Sequence, residues 1–374
     1  MRLLDRYLLR ELLIPLGYCL CGFMSFWIFF DLFGELSMFQ SKKLLARDIA
    51  EYYLITAPEM LVVVLPMALL LALLYALTNH ARHHEITAIR AAGISLWRLC
   101  LPYLIVGFIA SLLLFALNEL FVPDSTDAAE QILTRRVPRP AGTLGRNQVR
   151  NLAFTNSRDA RRWLIGVYNI DTAEMTNPKV VWRLSDGSSR WLSADRAERL
   201  DGVWTFYNMA EYKEAAVTNS MLVPVLQTNV LAIPQFSETP DEIKSEIKLA
   251  NSIVLRGAKR ADIPITEIRN YLRFHPRPSR SDGWWLYTKL HGRLAAPWTC
   301  LVVVLMAIPF GAASGRRNVF VGVASSIFIC FIYFLVQQFG LALGTGGLVT
   351  PWLAAWLPNL SFALAGLWMT SRVR

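Results

Sequence analysis

The sequence predicts an α-helical polytopic membrane protein of six transmembrane helices, with an all-β, jelly-roll-like domain inserted between the third and the fourth. Three observations predict it: six apolar runs of bilayer length, a Lys/Arg bias confined to one set of short loops, and a change of hydropathy period between the two groups of runs.

A bilayer core needs roughly 20 apolar residues in a helix. Residues 13–33, 53–77, 99–122, 294–310, 319–343 and 349–369 meet or approach this length. The fourth and sixth are shortest and need flanking residues such as Tyr287 or Trp368 to reach both interfaces. Pro58 and Pro66 are tolerable inside the second run, because neighbouring helices satisfy the freed carbonyls. The composition agrees: 54% of the 374 residues are hydrophobic and 18% charged, against about 25% charged in a soluble domain. The first run follows Arg2, Arg6 and Arg10. It is too long for the apolar core of a cleavable signal and lacks a clean small-x-small site after it, so it is expected to remain as an anchor.

Orientation follows from the short loops. Residues 1–11, 79–98, 311–318 and 370–374 carry ten Arg (2, 6, 10, 82, 90, 98, 316, 317, 372 and 374) against three acidic residues. The opposite set has Lys42, Lys43 and Arg47 balanced by Glu35, Asp48 and Glu51, and an uncharged glycine-rich turn at 344–347. Both termini are therefore expected in the cytoplasm and the inserted domain outside it.

In the middle the period changes. Residues 163–168, 180–184, 203–207 and 221–231 are rich in β-branched and aromatic side chains, and Asp186-Gly187 and Asp201-Gly202 lie between such runs. Asp-Gly suits the two positive-φ positions of a type I′ hairpin turn. Antiparallel strands in a sandwich or jelly roll are expected. Residues 137–145, with two Pro and two Gly, read as a linker; 241–255 and 265–273 read as short helices returning to the membrane. The expected division is 1–122 for the first three spans with a loop at 79–98, 123–285 for the β domain with its helical return segment at 241–275, and 286–374 for the last three spans.

Several function classes lose support. The formal charge is +10, yet residues 123–285 hold 23 Lys/Arg against 19 Asp/Glu, with no basic stripe interleaved with aromatics, so no nucleic-acid partner is expected. Cys19, Cys21, Cys100, Cys300 and Cys330 all lie in or beside apolar runs and form no CxxC pair, so neither a metal nor a disulfide framework is expected. No phosphate-binding G-x-x-x-x-G-K-[ST] loop, G-x-S-x-G elbow, H-E-x-x-H helix or dinucleotide fingerprint occurs, so no catalytic residue and no cofactor is assigned.

The loop at 79–98 is the most informative short stretch. It reads as a short helix on which Ala88, Ala91, Ala92 and Gly93 would let another backbone approach, with Ile86 and Ile89 as apolar knobs and Glu85 and Arg90 as charged anchors. Such a helix fits a groove on a cytoplasmic partner; it fits equally an amphipathic helix lying on lipid headgroups. His80, His83 and His84 read as solvated side chains. Asp31 and Glu35 share a helix face near the outer end of the first run; they either reach the interface or line a polar cavity, and Asn118 and Glu119 in the third run pose the same pair of readings. Lys42, Lys43 and Arg47 just outside the first run either contact anionic lipid groups or are solvated. Gly340-x-x-x-Gly344 permits close helix packing.

These residues resemble a known family. The opening Leu4-Asp-Arg-Tyr7 to Glu11, Leu65-Pro66 before a Leu/Ala-rich stretch, Glu85-Ile-Thr-Ala-Ile-Arg-Ala-Ala-Gly-Ile-Ser95, His291-x-Arg-Leu-Ala-Ala-Pro297, Ile308-Pro309 and Trp356-Leu-Pro-Asn359 resemble the lipopolysaccharide-export permeases of the LptF/LptG (YjgP/YjgQ) family, along the whole chain and in order. The Glu-x(7)-Gly loop and the His-x-Arg-x-Ala-x-Pro motif are the most specific parts. The Val203-Trp-Thr-Phe strand leans towards the LptG type.

The resemblance implies an inner-membrane half-transporter of a bacterial ABC exporter. Its implied partners are a homologous permease subunit, a separate cytoplasmic ATPase dimer, lipopolysaccharide and a periplasmic jelly-roll bridge protein. It implies that Glu85, Ile86, Ala88, Ile89, Arg90, Ala91 and Gly93 couple to the ATPase, and that the first and fifth spans are lateral gates. The substrate or gate candidates are then Phe26, Trp27, Phe30, Asp31, Glu35, Lys42 and Lys43 on or beside the first span, with Tyr333 and Gln337 on the fifth. One departure stands out: the family's LptG type carries basic residues near the outer part of the first span, where this chain has Asp31 and Glu35. Two other classes remain open on the residues alone, a non-transporting membrane-anchored scaffold and an ion-coupled secondary transporter using Asp31 and Glu119; inverted repeats would favour the latter.

Overall fold

In a computed structural model, residues 3–136, 147–183, 189–214, 223–254, 263–312 and 319–372 are described. The chain divides into a helical unit, Met1–Val137 with Gly283–Arg374, and a second unit, Pro138–Asp282.

Among the described residues, the helical unit holds six helices long and apolar enough to cross a membrane. The first is α1, Leu3–Ser41, and the second α2, Ala46–Arg82; the seven-residue α3, Glu85–Ala91, follows. The third span is α4, Leu96–Ala116, a π-helical turn over Leu117–Phe121, and α5, Val122–Thr134. The fourth is α8, Arg280–Ala295, a 3-10 turn over Ala296–Trp298, and α9, Thr299–Ala312; α10, Val319–Thr345, and α11, Pro351–Arg372, complete the set.

Most of these helices outrun the apolar runs that reveal them. The 39 residues of α1 span about 58 Å at 1.5 Å per residue, nearly twice the hydrocarbon thickness. Residues 123–134, expected within the β domain, instead continue the third span as α5. There Ala129 and Ile132 are buried with Phe39, Tyr52, Tyr53 and Met60 from α1 and α2. Polar helix extensions carry no hydropathy signal, which is why the apolar runs understate them.

α2 is the axis of the unit. Two-thirds of its most apolar window is buried (67%), against 6% of that of α1. Leu69, Leu70, Leu73 and Leu77 of α2 meet Leu8, Leu12 and Leu16 of α1, Cys100 and Tyr103 of α4, and Val304 and Ile308 of α9 in one cluster. Close approach between helices rests on glycine. A Cβ on Gly107 would lie 2.8 Å from Val304 Cγ2, and one on Gly366 would lie 2.8 Å from the Leu305 carbonyl oxygen. The Gly340-x-x-x-Gly344 pair serves the same purpose: added Cβ atoms would sit 2.5 Å from the Ala354 oxygen and 2.6 Å from Ala354 Cβ.

The second unit is the expected jelly-roll-like all-β domain, built of antiparallel strands β1, Gln148–Asn156; β2, Arg161–Asn169; β3, Met175–Arg183; β4, Ser189–Ser193; β5, Arg196–Leu200; β6, Val203–Glu214; and β7, Val223–Ile233. Neighbours in sequence pair in the sheet, except β4 with β5. β4 and β5 lie end to end between β3 and β6, β4 pairing with Lys179–Arg183 of β3 and β5 with Met175 and Thr176. The expected turn at Asp201-Gly202 joins β5 to β6, with φ of 48° and 82° at its two residues, as a type I′ turn requires. Asp186-Gly187 and the 137–145 linker lie outside the described residues.

One face of the sheet carries Trp163, Trp204 and Phe206, all fully buried. α6, Pro240–Val254, and α7, Ile265–Phe274, supply Ile243, Ile247 and Phe274 to the same core. Beside it lies a charged knot. Glu238 is fully buried and accepts from Asn156 Nδ2 at 2.9 Å and Trp163 Nε1 at 3.1 Å, with Arg161 Nε 3.0 Å away. Trp204 Nε1 donates to the Glu238 carbonyl at 2.7 Å, and Arg161 Nη1 to that of Gln235 at 2.6 Å. Burial alone would raise the Asp159 carboxyl, but the Ser237 hydroxyl with Arg161 and Arg158 outweighs it and holds that group below the usual carboxylate range.

Candidate functional site

The loop between the second and third spans is a folded object. α2 ends at Arg82, His84 takes a left-handed φ of 59°, and α3 begins at Glu85. Gly93, at φ 85°, reverses the chain, and the Ser95 hydroxyl caps α4 by accepting from Arg98 N at 3.3 Å. Nothing lies within 4 Å of the position a Gly93 Cβ would take, so backbone geometry rather than crowding calls for glycine there. Seven residues are too few to hold a helix in isolation; contacts with the rest of the unit must supply its stability.

Those contacts reverse part of the expectation. Ile86 is 4% exposed and belongs to the main core, with Ile89 packed against it. Ile86 therefore faces inward rather than standing out as a knob, and Ile89 is half-buried against the same core. Thr87, Ala88, Ala91, Ala92 and Gly93 are the exposed residues, and Arg90 is half-buried. Glu85 is not a free anchor either: its Oε2 lies 2.7 Å from His80 Nδ1, and it accepts from the Tyr7 hydroxyl at 3.2 Å. His80 is buried rather than solvated, while His83 and His84 are exposed. Among the described residues no group of three or more His, Cys, Asp or Glu could hold a metal ion.

α1 is gripped at both ends and bare between. At its start Asp5 takes two contacts from Arg98 Nη2, at 3.0 and 3.1 Å, and Leu8, Leu12 and Leu16 are buried. Near its other end Asp31 accepts from the Tyr53 hydroxyl at 3.1 Å, and Phe39 packs edge-on against Tyr52 and Tyr53. Between these grips Phe26 and Phe30 are 68% and 74% exposed and stack on each other, and Trp27 is exposed beside them. Glu35 and Lys42 are half-buried and Lys43 exposed. Just beyond, the buried Asp48 holds Arg136 at 2.6 Å, and Arg135 grips Glu51 at 2.9 and 3.0 Å. This clasp fixes the end of the third span to the start of α2.

On the fifth span the two candidate residues part company. Tyr333 is buried: its hydroxyl meets Thr299 Oγ1 at 2.7 Å and donates to Asn359 Oδ1 at 2.6 Å, while Asn359 Nδ2 donates to the Ala295 carbonyl at 2.7 Å. This network ties α10 to α9 and α11, so Tyr333 braces these helices. Gln337 lies by a cavity of about 170 Å³ that it shares with Asn118, Thr299, Pro66 and Phe334. Ile327, Phe328, Phe331, Leu335 and Phe339 form an exposed apolar face on the same helix.

Over residues 6–372 the chain matches the family described as lipopolysaccharide export system permease LptF/LptG. The chain belongs to that family. Both helical halves and the inserted β domain fall inside the match, and the family is one of transport permeases rather than catalytic enzymes. Among curated proteins, none matches the chain significantly.

In this LptF/LptG permease, residues of the stretches that carry the resemblance serve as internal fasteners. Arg293, from His291-x-Arg293, is buried in the fourth span, donates to the Asn118 carbonyl in the π-helical turn at 3.2 Å and stands 3.6 Å from Glu119. Glu119 therefore neutralises an arginine and is not an unpaired intramembrane carboxylate. Asn359, from Trp356-Leu-Pro-Asn359, closes the Tyr333 network. Arg293, Thr299 and Asn359 were not among the candidate site residues. Arg293 and Asn359 sit in two stretches that carry the resemblance, and a buried polar residue in an apolar run is itself a signal.

Proposed function

We propose that the chain is one permease subunit of an ABC-type exporter in the bacterial inner membrane. It works with a homologous permease subunit and a separate ATPase dimer. The complex takes lipopolysaccharide, or a similar large amphiphile, from the outer leaflet and passes it to a jelly-roll bridge protein. Both termini and α3 lie in the cytoplasm and the β domain in the periplasm, as the arginine-rich short loops require. The observation that carries this reading is the match to a lipopolysaccharide-export family along residues 6–372.

The geometry supplies a mechanism for it. Thr87, Ala88, Ala91, Ala92 and Gly93 form a small-residue surface that another protein's backbone can approach closely, which suits the ATPase seat. The exposed faces of α1 and α10 suit the two edges through which a lipid enters and a second permease is met. Phe26, Trp27 and Phe30 supply the apolar lining that acyl chains require, and Lys42, Lys43 and Arg47 stand at the outer rim, where phosphates would pass. Closure of the ATPase pushes α3, α1 shifts, and the amphiphile is expelled towards the β domain. The pairing of Glu119 with Arg293 speaks against ion-coupled transport through that carboxylate.

The purified chain, solubilised with its native partners, is expected to bring down a soluble protein with a G-x-x-x-x-G-K-[ST] motif and a bound acylated glycolipid visible by mass spectrometry. A preparation that carries neither, from cells that contain both, contradicts the exporter.

A further inference from the structure

Glu85 opens the loop helix, and a carboxylate there is the obvious group to reach out to a partner. It is turned inward instead. Oε2 meets His80 Nδ1 at 2.7 Å, and the Tyr7 hydroxyl reaches the two carboxylate oxygens at 3.2 and 3.3 Å. The His80 side chain is 2% exposed and its ring lies 5.6 Å from that of Tyr7. The three side chains come from α1, the last turn of α2 and the first residue of α3. Beside them Arg98 of α4 clasps Asp5 of α1, and Ile86 shares a buried cluster with Leu8 and Leu12.

We propose that Tyr7, His80 and Glu85 form a latch that welds the loop helix to the near end of α1. Glu85 is then a positioning residue that passes a push on α3 to α1, and not an anchor for the partner. This rests on the reading of α3 as the ATPase seat. A seven-residue helix between two left-handed turns, at His84 and Gly93, swivels under load unless side chains tie it down. Ile86 supplies a non-directional contact; the carboxylate supplies the directional one. α1 is the right receiver. Between Leu16 and the Asp31–Tyr53 contact more than half of its side chains are exposed, so movement at its near end is carried along a lightly covered stretch.

The two roles for Glu85 separate by substitution. Gln keeps an acceptor oxygen for Tyr7 but loses the charge an outward anchor would use. Tyr7 lies on α1 and contributes to no surface of α3, and at 41% exposure its change to Phe does not threaten the fold. The test uses the assembled exporter in lipopolysaccharide-containing vesicles, with ATPase retention, ATP turnover and lipopolysaccharide moved per ATP read for Tyr7→Phe, Glu85→Gln and Glu85→Ala. Tyr7→Phe and Glu85→Ala are expected to keep the ATPase bound and turning over while moving several-fold less lipid per ATP. Glu85→Gln is expected to recover most of the loss, and the Tyr7→Phe/Glu85→Ala double variant to be no worse than the poorer single one. Normal lipid movement per ATP in Tyr7→Phe, with the ATPase released by both Glu85 variants, overturns the latch. If the unaltered chain retains no ATPase, the seat itself is wrong and the weld is read separately, from amide exchange over residues 85–92 in the partner-free chain. Several-fold faster exchange in Tyr7→Phe supports the weld, and an unchanged rate refutes it.

Discussion

Arg161 and Glu238 are both shielded from water; the arginine also meets Asp159, while Glu238 has Arg161 as the cation beside it, so the glutamate's charge is tolerated because of Arg161. Removing one partner of such a pair strands the other, at a cost of about 3–5 kcal/mol. Arg161→Ala is therefore expected to destabilise the β domain by about that amount, and Arg161→Ala combined with Glu238→Gln by distinctly less, because no buried charge is left over. Urea unfolding of the solubilised chain, followed by amide exchange in β2, measures both; equal losses in the single and the double variant contradict the account. The knot was not legible in the sequence. Arg161 opens a strand that the aromatic run at 163–168 does mark, but Glu238 stands outside any periodic segment, between β7 and α6, and only the tertiary fold brings the two together. The same holds for Tyr333 and Asn359, whose pairing depends on how α10 and α11 cross. By contrast, the left-handed residue that Gly93 supplies was foreshadowed by its place in the Glu-x(7)-Gly loop.

Among the helices, glycine marks where packing is tight and where it is not. Gly340 leaves no room for a side chain against Ala354, whereas nothing lies within 4 Å of a Cβ on Gly22. Gly340→Val is expected to cost at least the 1–3 kcal/mol typical of overpacking and to loosen α10 from α11. Gly22→Ala is expected to be neutral within about 0.5 kcal/mol. Thermal unfolding in detergent distinguishes them, and comparable losses at both positions contradict the packing described. The six spans were legible because each carries an apolar run, yet their polar continuations were not. α5 and the start of α8 look like soluble chain and are helical because they extend helices already nucleated. Strands β2, β3, β6 and β7 announce themselves through aromatic and β-branched residues. β4 and β5, rich in Arg, Ser and Glu, form because the longer β3 and β6 offer them a ladder, and β1 forms against β2.

At the scale of the molecule, the helical unit is a braced block around α2 and α9 with two lightly covered helices, α1 and α10, at its margins. The fasteners fall where the family resemblance is strongest: Arg293 of the fourth span holds the third, Asn359 of the sixth holds the fifth, and Glu85 of α3 holds the first. The proposed export mechanism uses that division: a rigid block would give the push something to act against, and a bare helix would give the lipid a face to meet. The claim on which this rests most heavily is that the small-residue face of α3 receives the ATPase. The direct measurement is site-specific photocrosslinking in cells, with the probe placed in turn at Ala92, which is exposed, and at Ile86, which is buried. The account predicts an adduct with a soluble ATPase from Ala92 and none from Ile86; an Ala92 probe that captures only periplasmic proteins, or an adduct from Ile86 alone, would contradict it.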